Sequence, residues 1–129
     1  MPKITVHADC GNAPEKELLR DLNIAFANAD VEGILDVFTD DIRWQIVGEA
    51  DLRGKAAVRA ALQAMSGVVT RELVIDSIIT QGRAGAVNGL IVSESGGAVA
   101  FCDFCQFASE AGGKIESMMS YSVALKSEE

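Results

Sequence analysis

Apolar residues fall first at helical and then at alternating spacing along this chain. Leu18, Leu19, Leu22, Ala25, Phe26 and Ala29 form one stripe of a helix that Pro14 opens, with Glu15 and Glu17 near its positive end. Asn28-Ala29-Asp30 breaks that pattern. Asp30 can cap a second, shorter helix carrying Val31, Ile34, Leu35 and Phe38. Thr39-Asp40-Asp41 reads as a turn. Ile42 to Val47 alternates as a strand, with Ile42, Trp44 and Ile46 on one face and Arg43 and Gln45 on the other. Gly48 to Arg53 reads as a loop, and Gly54 to Met65 as a third helix ended by Gly67. The remainder predicts strands: Thr70 to Thr80, Ala84 to Glu94, Ala98 to Ser109 and Lys114 to Leu125. The turns between them fall at Gln81-Gly82-Arg83, Ser95-Gly96-Gly97 and Ala111-Gly112-Gly113. Helices first and antiparallel strands afterwards imply an α+β fold, with the helices on one face of a curved sheet.

Composition narrows this picture. The 129 residues suit one domain over residues 14–125, after a loose N-terminal arm over residues 1–13. The apolar fraction is 49% and the mean hydropathy +0.21, enough to bury a core. The net charge of −8 argues against nucleic acid and against an anionic membrane surface, because both need a basic footprint. Residues 1–10 lack the apolar run of a signal peptide, and no stretch approaches a membrane span. The expected location is cytoplasmic. Three cysteines make no disulfide framework, which agrees.

Three segments carry a likeness to a known family. AFANADVEGILDVFTDDIRWQIVG, LRGKAAVRAAL and FCDFCQFASEAGGKIESM occur in this order. Together they resemble the helix–helix–strand opening, the glycine-led third helix and the last hairpin of the nuclear transport factor 2-like superfamily. That group includes SnoaL-like polyketide cyclases and ketosteroid isomerase. The resemblance covers roughly residues 14–125. It implies a cone-shaped, cystatin-like sheet with mixed edges, wrapped around three helices. It also implies an apolar pocket and frequently a homodimer. The superfamily spans isomerases, hydrolases, cyclases and non-catalytic modules, so the site must decide the function.

Asp103 is the most informative residue. It lies in Phe101-Cys102-Asp103-Phe104-Cys105, where a carboxylate is costly unless paired or protonated. In ketosteroid isomerase the matching stretch carries a protonated aspartic acid that stabilises an oxyanion. Asp103 matches it through the following Gln106-Phe107 and Gly113-Lys114-Ile115. An aspartate bonded to backbone, or sitting on an exposed rim, is the plainer alternative. The family's general base falls at Ile46 and its tyrosine donor at Leu22, and neither residue can serve. Steroid isomerisation is therefore not expected.

The remaining pocket candidates follow from Asp103. A two-residue turn at Gly96-Gly97 pairs Leu90 with Asp103 and Asn88 with Cys105, which sets Asn88 and Asp103 on one face. A three-residue turn reverses that parity, and a bulge at Asn88-Gly89 competes with it. Trp44 lies on the strand that borders the family's pocket, and core packing is its alternative. Phe26, Phe101 and Phe107 carry the same ambiguity. Met118 and Tyr121 have opposite parity on the last strand, and the resemblance favours Met118. Cys102 and Cys105 point to opposite faces of a strand, so their C-x-x-C spacing makes no metal or redox pair. His7 is the only histidine, which excludes a Ser-His-Asp set, and no glycine-rich phosphate loop is present. No metal and no cofactor are expected. Arg53, Arg71 and Arg83 are candidate anion binders, with solvated surface arginines the commoner outcome.

Two functions remain open at this point. One is a cofactor-free isomerase-, cyclase- or hydrolase-type enzyme that acts on a small, largely apolar substrate through Asp103. The other is a non-catalytic ligand-binding or dimeric interaction module. Alternation also places Ala100, Cys102 and Phe104 on the face opposite Asp103. That apolar outer face is the expected seat of a homodimer.

Overall fold

The N-terminal helix starts where its sequence dictates. Pro14 occupies the first helical position, and α1 (Pro14–Ala27) buries Leu19 and Leu22. Ala29 follows in the left-handed region, at φ 54°, and turns the chain into α2 (Val31–Asp36). The Asp30 carboxylate accepts a hydrogen bond from the Gly33 amide at 3.1 Å and caps that helix. The computed structural model describes residues 2–65, 67–109 and 113–126. Its other elements are β1 (Lys3–Val6), β2 (Phe38–Ile46), β3 (Ala50–Arg53), α3 (Lys55–Ala64), β4 (Thr70–Gln81), β5 (Ala84–Ser93), β6 (Ala98–Phe107) and β7 (Ile115–Leu125).

Among the described residues seven strands form one sheet, in the order β1-β4-β5-β6-β7-β2-β3. The run from β4 to β7 is antiparallel, while β1 on β4 and β2 on β7 are parallel. The three helices pack against one face. There Leu19, Leu22, Ile34, Phe38, Phe107 and Ile115 form the centre of the core, each at most 1% exposed. Each such side chain contributes roughly 1.5–3 kcal/mol through removal of its apolar area from water. This is the curved α+β architecture that the order of elements implies.

Three local expectations need correction. The arm is not loose throughout, because residues 3–6 pair with β4 and the His7 amide continues the ladder to the Ile75 carbonyl at 2.8 Å. Thr39-Asp40-Asp41 is not a turn. These residues belong to β2, whose register against β7 shifts between Phe38 and Arg43, so the exposed Asp40 and Asp41 face water from within a strand. Phe38 is accordingly the first residue of β2 and not the last of a helical stripe. Four of the six residues in the expected loop over residues 48–53 are strand. Gly48, at φ 86°, lets the chain reverse, and β3 pairs with β2. Arg43 clamps Asp51 across that pair with hydrogen bonds of 3.1 and 3.0 Å. The turn expected at Ala111-Gly112-Gly113 lies in part outside the described residues. Phe107 and Ile115 pair on either side of it.

Candidate functional site

The inner face of the sheet and the helices enclose a mostly apolar cavity of about 410 Å³. Phe26 enters from α1, Trp44 and Ile46 from β2, Ile91 from β5, and Phe101 and Asp103 from β6. The Trp44 ring lies 5.4 Å from Phe26 and 6.4 Å from Phe38, tilted by 53° to each. Asp103 is 7% exposed and Asn23 4%, and both line the cavity. The Asn23 Nδ2 group donates to the Leu19 carbonyl at 2.9 Å.

Topology builds a polar chain inside this apolar space. Strand β7 lies between β6 and β2. Ser120 pairs in register with Asp103 on one side and with Ile46 on the other, while Trp44 pairs with Met118 one step away. The Trp44 Nε1–H donates to Ser120 Oγ at 2.8 Å. An indole nitrogen can only donate, so Ser120 Oγ is the acceptor and its own proton is free for the Asp103 carboxylate, to which it is hydrogen-bonded. Burial pushes the Asp103 carboxyl up from its ordinary 3.8 to about 6, and the Ser120 hydrogen bond pulls it partly back.

The structure brings four of the sequence candidates together: Asp103, Trp44, Phe26 and Phe101 line one cavity. Two candidates lie elsewhere. Met118 is fully buried in the core, in register with Trp44, and is not among the lining residues. Asn88 is exposed on the opposite face, paired with Cys102, and Val87 is the residue opposite Asp103. The reason is turn length. Val92 pairs with Ala98, and the intervening Ser93–Gly97 loop is closed by the Ser93 amide on the Gly97 carbonyl at 2.9 Å. The longer loop shifts the register by an odd step and reverses the parity of β5. Asn88 and Cys102 instead line a groove of about 460 Å³ on the outer face.

The other candidates sort by face as alternation requires. Cys102 is exposed and Cys105 buried, and burial pushes the Cys105 thiol up. Phe107 is fully buried in the core. Ile46 lines the cavity, whereas Leu22 does not. Arg53 lies 3.6 Å from Asp51, Arg83 donates to the Phe107 carbonyl at 3.0 Å, and Arg71 is exposed. None of the three lines the cavity. Among the described residues no cluster of His, Cys, Asp and Glu could hold a metal ion. No helix there is long and apolar enough to cross a membrane.

Sequence reasoning missed Ser120, Asn23 and Glu49. Asn23 had a signal, since it interrupts the α1 stripe one turn after Leu19. Ser120 had one too, two residues beyond Met118 and therefore on the same face of the last strand. Glu49 lines the cavity from the turn between β2 and β3, a turn that pattern reading had merged into a longer loop.

A curved sheet wrapped around helices, with a buried carboxylate in its hollow, defines a cone of the nuclear transport factor 2-like class. The family model for the SnoaL-like domain matches residues 19–118, and the chain belongs to that family. Solved structures agree on the fold. A nuclear transport factor 2-like protein of unknown function from Cytophaga hutchinsonii is 23% identical, with a TM-score of 0.65 over 84% of this chain and 99% of that one. Another such protein, from Burkholderia pseudomallei, is 19% identical, with a TM-score of 0.69 over 81% and 87% of the two chains. A candidate SnoaL-like polyketide cyclase from Shewanella denitrificans is 13% identical, with a TM-score of 0.72 over 87% and 92%. No curated protein matches the sequence.

Proposed function

We propose that the protein binds a small, largely apolar molecule in its cone and moves a proton on it, without a cofactor, through Asp103. One observation carries this reading: a deeply buried carboxylate, the only one among the described residues, faces an apolar cavity and is tuned to about 6, close to neutral pH. The Ser120 proton can engage only one carboxylate oxygen, which leaves the other for the ligand. Trp44 holds Ser120 in place and packs the ligand with Phe26 and Phe101. Hydrogen–deuterium exchange next to the carbonyl of 2-tetralone, a compact apolar ketone, tests the chemistry. The Asp103 carboxylate takes the proton from carbon, an enolate remains, and the carboxyl returns a deuteron exchanged from solvent. Exchange above the buffer rate is expected, with a loss of about a hundred-fold or more in Asp103→Asn. Trp44 is the only tryptophan, so its emission reports binding separately.

A second reading is binding without chemistry. Ile46 favours it, because an aliphatic side chain lines the cavity where ketosteroid isomerase carries its base. A change in Trp44 emission with no exchange above buffer would establish that reading instead.

We also infer a homodimer through the outer face of the sheet. Ile79, Phe104, Tyr121 and Val123 are 67%, 48%, 45% and 64% exposed, an apolar surface that a second copy of the same face covers self-complementarily. Sedimentation equilibrium is expected to give twice the 13.6 kDa chain mass, and Val123→Lys to return the monomer. A monomer for the unaltered chain at micromolar concentration rejects it.

A further inference from the structure

We propose that the cavity selects a cationic, largely apolar amine over the matching carboxylate, with Asp103 meeting the ammonium and Glu49 facing it at the rim. The proposal rests on the reading of the cavity as a ligand site.

The charges that line the cavity are all of one sign. Asp103 is buried on β6, Glu49 is exposed on the turn after β2, and no basic side chain is among the described lining residues. The arginines of the neighbouring hairpin are already committed, since Arg43 and Arg53 lie 3.0 and 3.6 Å from Asp51. The chain as a whole carries −8. An anionic ligand therefore meets repulsion at the rim and again inside, with no partner to offset its desolvation.

Hydrogen-bond capacity points the same way. An ionised carboxylate can accept about four hydrogen bonds, and Ser120 supplies one. Of the other donors that line the cavity, Trp44 Nε1–H is engaged on Ser120, and Asn23 Nδ2 gives one of its two protons to the Leu19 carbonyl. An apolar ligand that fills the hollow expels the water that would otherwise solvate Asp103. A ligand with donors of its own offsets that loss, and an ammonium brings three together with the compensating charge. The ionisable groups that share the cavity or the strand of Asp103 are Glu49, Tyr121 and the thiols of Cys102 and Cys105, none of them cationic.

Three probes with one skeleton separate the possibilities: 4-phenylbutylamine, 4-phenylbutanol and 4-phenylbutyrate. Calorimetry at pH 7 and low salt is expected to rank the amine about ten-fold or more above the alcohol, the worth of a charge-assisted hydrogen bond. The carboxylate is expected to bind weakest. Asp103→Asn removes the preference of amine over alcohol. Glu49→Gln, at an exposed position, weakens the amine about two- to three-fold and flattens its salt dependence. At pH 6 the amine also releases protons to the buffer, because the cation draws Asp103 into its charged form, and the alcohol does not. Equal binding of alcohol and amine, or tightest binding of the carboxylate, overturns the proposal and leaves the ligand cavity standing. Failure of all three probes to bind or to move Trp44 emission overturns both.

Discussion

Gly89→Ala is expected to lower the stability of this protein by about 3–5 kcal/mol, a large part of what a domain of this size possesses. Gly89 faces inward from β5, in register with Phe101 of β6 and Ile75 of β4. A Cβ there would stand 1.9 Å from the Val74 carbonyl oxygen and 3.0 Å from the Phe101 ring. The ring can shift. The carbonyl belongs to the backbone beside the register break between Ile75 and Ser77, and moving it disturbs the β4–β5 ladder. Gly85, four residues earlier on the same face, is the comparison. A Cβ at Gly85 meets Leu19 Cδ1 at 2.9 Å and the Phe107 ring at 3.1 Å, which are the ends of side chains. Gly85→Ala is therefore expected to cost only about 1–2 kcal/mol. Urea unfolding of both variants checks the order. Equal losses, or a loss below about 1 kcal/mol for Gly89→Ala, would show that the β4 backbone yields freely. The position also serves the site, because the missing side chain leaves room for Phe101 beside the cavity.

The same two strands show how far a sequence can be read. Alternation along β6 put Asp103 inward and Cys102 and Phe104 outward, and that parity holds because it depends on a single strand. The partner strand needed one more quantity, the number of residues in the Ser93–Gly97 loop. Glycines at 96 and 97 suggested a turn without fixing its length, so Asn88 went to the wrong face. Strands made from polar residues were also illegible. Asp40 and Asp41 in β2, and Ala50 and Asp51 in β3, are exposed edge or near-edge positions, where water on one side removes the apolar pattern that marks a strand.

The polar chain of the site lay beyond the sequence for a different reason. Ser120 meets Asp103 across an antiparallel pair that a hairpin foretells. It meets Trp44 only through the parallel β2–β7 pairing, which joins residues 76 positions apart. No local rule ranks such a pairing. A serine on a strand carries little signal of its own until its neighbours are known. Asp103 was legible because a carboxylate amid Phe, Cys and Phe violates the local pattern, and such violations concentrate at functional positions.

Asp103→Asn is expected to stabilise the protein at pH 7 and to lose that advantage near pH 4. Burial carries the Asp103 carboxyl from 3.8 to about 6, so the folded state binds this proton more tightly than the unfolded chain does. Between those two values the native protein still holds a proton that the unfolded chain has released. Stability therefore falls as pH rises through that window, is unaffected below it, and carries a constant penalty above it. The penalty amounts to roughly 3 kcal/mol at pH 7. The charged and ionisable neighbours do not reverse the sign, since Glu49, Tyr121, Cys102 and Cys105 offer no cation. Asparagine keeps the shape and still accepts from Ser120, but its amide needs an acceptor or water in the cavity, which returns part of the gain. A net gain of about 2 kcal/mol is expected, or a melting temperature higher by several degrees. Thermal melts of both proteins from pH 4 to pH 8 check it: the variant lies slightly below the parent at the acid end, the curves cross as pH rises, and the variant leads through pH 6 and above. If Asp103 also moves a proton in catalysis, the stabilised variant loses its exchange activity, the trade typical of a functional polar group in an apolar hollow. A variant less stable than the parent at pH 7 would instead mark Asp103 as an ionised anchor that Ser120 and Trp44 exist to hold.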